Sequence, residues 1–222
     1  MVLSVYRNAL KNLQTVHWSV FWGLWSLLSM ITLWFYQDHF TTRETVEQFL
    51  GDQFSPVYID LIFARIQDMT YISILLIPLL ILCRTLFMAL ILHLFFLLWQ
   101  LEIPFKKVFY VIMTVFGMMV LKDISKIFPL FLENSSSNIT NNILIVPLSL
   151  SSAFSFSFHP MLNRLLNAIN IFEGMWMILV AFIITIWTGI KVKKIIGPLI
   201  LARWLSIVLL WGLGIFYEIF MV

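Results

Sequence analysis

The chain is poor in charge. Only 11% of its 222 residues are Asp, Glu, Lys or Arg, against about 25% in ordinary soluble domains. So few polar side chains cannot cover a globule of this size, which excludes a soluble domain and makes lipid the implied solvent. Cysteine is down to one, Cys83. A single thiol closes no internal disulfide, and no Cys/His pair has zinc spacing. Glycine numbers eight. No phosphate-binding glycine loop, H-E-x-x-H helix or G-x-S-x-G elbow is present, nor any haem or redox motif. The 14 basic residues are dispersed rather than gathered in the stripe that nucleic-acid binding needs. The expectation is therefore no enzyme, no cofactor, no metal and no nucleic-acid partner.

What the chain has is apolar sequence, 61% of it, with a mean hydropathy of +0.97. The start does not read as a cleavable signal: Arg7 and Lys11 lie in a mixed segment, and no small-residue cleavage site follows the first apolar run. That run, residues 18–36, carries Trp18, Trp22, Trp25 and Trp34 and fits a span with an interfacial aromatic belt. Residues 37–70 are the longest polar segment. Thr41 and Glu44 have the spacing of a capping box, with Gly51 as the stop of a short helix. After Pro56, Tyr58, Ile62, Ile66 and Met69 recur at helical spacing, and Asp60, Arg65 and Asp68 mark an amphipathic segment lying at the interface. The run 71–99 would be roughly 43 Å long as a helix, beyond a ~30 Å hydrocarbon core. Pro78 and Arg84 make it one kinked helix or a broken pair, and the single kinked helix is favoured. A third span covers 108–121, extensible to 132, with Lys122, Asp123 and Lys126 near the interface. Residues 133–142 read as a solvated loop and 143–158 as an interfacial or re-entrant stretch. The fourth span covers 169–190, and Gly197-Pro198 opens the fifth.

The expected fold is thus an all-α integral membrane protein with five transmembrane helices plus short interfacial helices. Its parts are a cytoplasmic tail (1–17), a first span (18–36), an extracytoplasmic amphipathic segment (37–70) and a four-helix membrane domain (71–222). The tail and the turns at 101–107 and 191–195 carry seven Lys/Arg in short stretches. The alternate loops carry five over longer lengths. The positive-inside rule then puts the N-terminus in the cytoplasm and the C-terminus outside.

Charges inside a span cost about 2.5–3.5 kcal/mol each on insertion scales, so Arg84, Glu173 and Arg203 are candidate intramembrane contacts, together with His93. Arg84 is expected to meet Glu173 or Asp123. Arg203, about a turn and a half into the fifth span, falls too far from Glu173 in depth to pair and is expected to snorkel toward the headgroups. His93 is expected to donate to a backbone carbonyl. On this reading the polar residues do not concentrate at one depth.

Two regions carry a family likeness. One is Ala89-Leu-Ile-Leu-His93-Leu followed by Pro104-Phe-Lys-Lys107. The other is Asn170-Ile-Phe172 with Trp176, Leu179, Gly189 and Lys193-Lys194. These resemble the Yip family of Ypt/Rab-interacting five-span membrane proteins, in its bacterial form. The Asp-Leu-Tyr/Trp-Gly-Pro signature of eukaryotic members is absent. The resemblance implies the family fold and a non-catalytic habit. The functional expectation is an accessory or scaffold subunit that binds other membrane proteins or itself in a bacterial inner membrane. The alternatives are a eukaryotic endomembrane and a transporter, permease or channel subunit.

Overall fold

The structure is a computed structural model that describes residues 16–50, 54–127, 149, 166–167 and 169–220, without the side chains of 40, 48–50 and 210–220. The expected loop and re-entrant stretch at 133–158 apart from Ser149, the Gly51 stop and most of the N-terminal tail lie outside these residues. Every named element is helical: α1 (Trp18–Phe40), α2 (Arg43–Leu50), α3 (Pro56–Leu98), α4 (Phe105–Val115), α5 (Gly117–Ser125), α6 (Ile171–Thr188) and α7 (Val192–Phe220). Among the described residues, four stretches are long and apolar enough to cross a membrane: Trp18–His39, Pro56–Leu98, Phe105–Ser125 and Ile171–Thr188. Helices suit lipid because they satisfy their own backbone groups. Some hydroxyls in these spans follow the same logic, whereas those of Ser26, Thr85 and Thr185 have no partner among the described residues. Thr32, Thr114 and Thr188 each donate to the carbonyl four residues back, at 2.7–2.9 Å, a local bond that needs no water.

Packing divides the chain inside α3, into Trp22–Leu82 on one side and the residues up to Phe21 with those from Cys83 onward on the other. In the Trp22–Leu82 unit, α2 is capped one residue later than the sequence spacing suggests. The Thr42 hydroxyl, not Thr41, accepts from the Thr45 N–H at 3.3 Å, because the helix begins at Arg43. Residues 56–70 are not a separate interfacial helix. They are the first turns of α3, whose 43 residues run unbroken through Pro78. Such a helix is roughly 64 Å long, whereas even a 40° tilt absorbs only about 39 Å of it in the hydrocarbon. Its polar N-terminal part, with Asp60, Arg65 and Asp68 exposed, is the part suited to lie beyond the lipid. Proline at 78 leaves the carbonyl of Ile74 without its helical donor. Beside it, the Trp22 indole donates to the Pro78 carbonyl at 2.9 Å and ties α1 to α3.

In the other unit, α6 is the element the rest pack on, with contacts to α4, α5 and α7. Val180 and Ile184 of α6 are buried with Val108, Val111, Ile112 and Met113 of α4 and Ile195 and Leu199 of α7. Helix α3 ends in a Schellman turn. Leu101 donates to Phe96 at 2.8 Å, Gln100 donates to Leu97 at 2.9 Å, and Gln100 takes the left-handed conformation at φ 55°. The third span starts at Phe105 and breaks at Phe116, where i→i+3 bonds from Phe116 to Met113 and from Met119 to Phe116 tighten the path. Helix α6 is capped by Asn170, whose side chain accepts from the Glu173 N–H at 3.0 Å, and closes on Gly189 at φ 74°. Helix α7 begins at Val192, not at Gly197-Pro198, so Pro198 sits inside it. That earlier start carries Arg203 from a turn and a half to about three turns into the helix.

Candidate functional site

Counting rise from the two turns at 99–104 and 189–191 fixes the depth of each charged residue. Arg84 lies 14 residues before Leu98, and Lys122 lies 17 after Phe105. Glu173 lies 15 before Thr188, and Arg203 lies 11 after Val192. At 1.5 Å per residue these are roughly 21, 26, 23 and 17 Å from the turns. All four therefore fall in the far half of a ~30 Å core. Glu173 occupies the first turn of α6 and Lys122 the last turn of α5, so the level is close to one membrane surface.

The side chains meet there. Arg203 Nη2 donates to Glu173 Oε1 in a buried ion pair. Lys122 Nζ is 3.5 Å from the same oxygen. Arg203 Nη1 reaches the Met88 sulfur at 3.5 Å, and its guanidinium lies 5.6 Å from the centroid of the buried Trp176 ring. Arg84 sits 5.8 Å from the centroid of the Phe116 ring, at the break in the third span. It lies in the electrostatic field of Arg203, Asp123 and Glu173. Asp123 itself is taken by Lys126 at 2.7 Å. Two buried atoms at the centre, Glu173 Oε2 and Arg203 Nε, have no hydrogen-bond partner among the described residues.

Two expectations are corrected. Arg203 and Glu173 do pair, since α7 starts five residues early and Arg203 lies correspondingly deeper. The polar residues do concentrate at one depth, and Lys122, read from the sequence as an interfacial charge, belongs to the cluster. The signal that reveals it is helical rise counted from the turns, which needs the helix starts. His93 is apart from the cluster. It packs edge-on against Phe105 at 5.6 Å, and its Nδ1 is buried with no partner among the described residues, so the expected bond to a carbonyl does not form on that nitrogen.

The Trp22–Leu82 unit has a different polar feature. Arg43 donates to Asp60 at 2.6 Å and to Glu47 at 2.8 Å, pinning α2 to α3. The Asp60 hydrogen bond and charge raise the Arg43 pKa above its ordinary value, so it stays charged at every physiological pH. Arg65 and Asp68 make no ion pair with another described residue. A cavity of about 240 Å³ lies nearby, lined by Gln37, Asp38, Arg43, Gln67, Thr70 and Tyr71 among others. The third feature is apolar. Helices α6 and α7 enclose a groove of about 400 Å³ lined only by apolar surface, with Gly174, Ile178, Ala181 and Phe182 on one wall and Ile196 and Ile200 on the other.

Comparison with family models, with curated proteins and with solved structures returns no match. Function is therefore argued from the chemistry of these three features.

Proposed function

We propose that the protein is a non-catalytic integral membrane protein that works as an accessory or scaffold subunit. Its five spans run from a cytoplasmic N-terminus to an outer C-terminus, with α7 as the fifth, in a bacterial inner membrane. The reading keeps the Yip-like resemblance as its fold expectation. The observation that carries it is the α6–α7 groove. In lipid, apolar surface alone gives helices no reason to associate, and close approach over small residues supplies the packing that does. Gly174, Ile178 and Ala181 recur at i, i+4 and i+7, one face of α6, and a side chain built at Gly174 would meet nothing within 4 Å. That leaves a lane wide enough for a partner's transmembrane helix.

Gly174→Leu tests the docking. Its Cβ enters open space and its longer side chain occupies the groove, so the expected result is a loss of at least tenfold in co-purified partner or self-association with an unchanged unfolding midpoint. Undiminished association would sink the reading.

A second reading, a transporter, permease or channel subunit, is favoured by the convergence of Arg84, Lys122, Glu173 and Arg203 at one depth, because intramembrane charges can mark ion and substrate pathways. Neutralising Lys122 separates the two. Lost flux with intact assembly supports transport, and lost assembly with no flux to lose supports the scaffold.

A further inference from the structure

The intramembrane cluster is out of balance. Arg84, Lys122 and Arg203 bring three positive charges to one level; among the described residues Glu173 is the carboxylate that contacts Lys122 and Arg203, and Asp123 and Glu173 both act on Arg84. Asp123 contributes to the field, but its salt bridge to Lys126 offsets it. An excess of about two charges in or beside hydrocarbon is expensive unless a counter-charge arrives. The chain has few to offer: from Cys83 onward it holds ten Lys/Arg and five Asp/Glu. One of those five, Glu102, is exposed at the turn on the opposite side.

We propose that Arg84, Lys122 and Arg203 form a binding site for a phosphate-class oxyanion, with Glu173 as the fixed counter-ion that positions two of the three cations. Four observations fit this ligand class. Arg203 Nε is a buried guanidinium donor with no partner among the described residues, and a guanidinium fork matches phosphate geometry. Lys122 supplies the compact point charge that phosphate sites also use. The site lies at the ends of α5 and α6, close to one membrane surface, where lipid phosphates are within reach. Arg84 and Lys122 are only partly buried, which makes them the cations of the site that an approaching oxyanion meets first. The inference is independent of the groove between α6 and α7, so Gly174→Leu leaves it untouched.

The test uses the full chain in a neutral detergent free of phospholipid. Phosphatidylglycerol, phosphatidylcholine or inorganic phosphate is added at constant ionic strength, and the unfolding midpoint is followed. Phosphatidylglycerol should raise the midpoint saturably, and Arg84→Gln and Lys122→Gln should each weaken its apparent affinity at least tenfold. Lys193→Gln, at the opposite end of the bundle, should change nothing. Without any anion, Arg84→Gln should unfold at or above the wild-type temperature, because it removes an uncompensated cation. A response to inorganic phosphate equal to that of the lipid assigns the site to a soluble oxyanion. A response to phosphatidylglycerol alone assigns it to a headgroup. Four results overturn the proposal: full affinity in both cluster variants, an equal response to phosphatidylcholine, an anion-free Arg84→Gln far less stable than wild type, or a protein partner lost with Arg84→Gln while the lipid response stays intact. The last would give the counter-charge to a partner's carboxylate.

Discussion

Glu173 is the residue on which the helix bundle depends most. It accepts from Arg203, faces Lys122, and has its own N–H held by Asn170. Removing one member of a buried ion pair typically costs 3–5 kcal/mol, because the other charge stays buried without its partner. Glu173→Gln should therefore destabilise the protein by about that amount in denaturant titrations. Glu173→Gln/Arg203→Gln should lose less than the two single variants together, with a coupling of about 1–3 kcal/mol. The capping residue separates two effects at the same helix end. Asn170→Ala should cost about 1 kcal/mol through the lost acceptor. Asn170→Asp keeps the acceptor and adds a charge favoured at a helix N-terminus but loses the amide's bond to the Asn167 carbonyl at 2.9 Å, so it should cost less than Asn170→Ala. The sequence marked Arg84, Glu173 and Arg203 individually, since charges among apolar residues are conspicuous. It did not reveal how they pair, because pairing depends on where α7 begins, and Gly197-Pro198 is a more visible start signal than Val192. Lys122 was hidden for a related reason: a lysine near a span end looks interfacial until its depth is compared with residues on other helices.

The helices differ in how far local signals define them. Helix α6 was legible nearly to its ends, because Asn170 caps it and Gly189 stops it. Gly189 holds φ 74° with nothing within 4 Å of a built side chain, so Gly189→Ala should cost about 1–2 kcal/mol through backbone strain alone. Helix α3 was legible only in its apolar half. The polarity change near residue 70 reads as a boundary, yet a backbone helix is indifferent to which solvent surrounds it, and residues 56–70 contain neither glycine nor proline after Pro56 to stop it. The break at Phe116 had no sequence mark beyond the adjacent Gly117. Where α1 meets α3 within the Trp22–Leu82 unit, Trp22→Phe keeps the ring and removes the donor to the Pro78 carbonyl. It should cost about 0.5–1.5 kcal/mol, read as a lower unfolding midpoint with unchanged helix content.

For the whole molecule, the proposed five-span path has a direct topological consequence. In a Cys83→Ser background, Lys106→Cys and Lys193→Cys should react with a membrane-impermeant maleimide from the cytoplasmic face, and Arg43→Cys from the opposite face. Labelling of positions 106 and 193 from different faces would contradict the path. The spans also differ greatly in length. Helix α3 is far longer than any bilayer requires and can adjust by tilting, whereas α6, at 18 residues, is only about 27 Å long against an average core of ~30 Å. A thicker bilayer cannot be met by extending α6, because its first turn already holds Glu173. Added acyl length would draw Glu173, Lys122 and Arg203 deeper into hydrocarbon. The protein should accordingly be most stable in thin membranes, with an unfolding midpoint that peaks in lipids with chains of about 14–16 carbons and falls as the chains lengthen. Hydrophobic thickness would then help decide which membranes, and which regions within them, retain the protein, and the shortest membrane-length helix would set that preference.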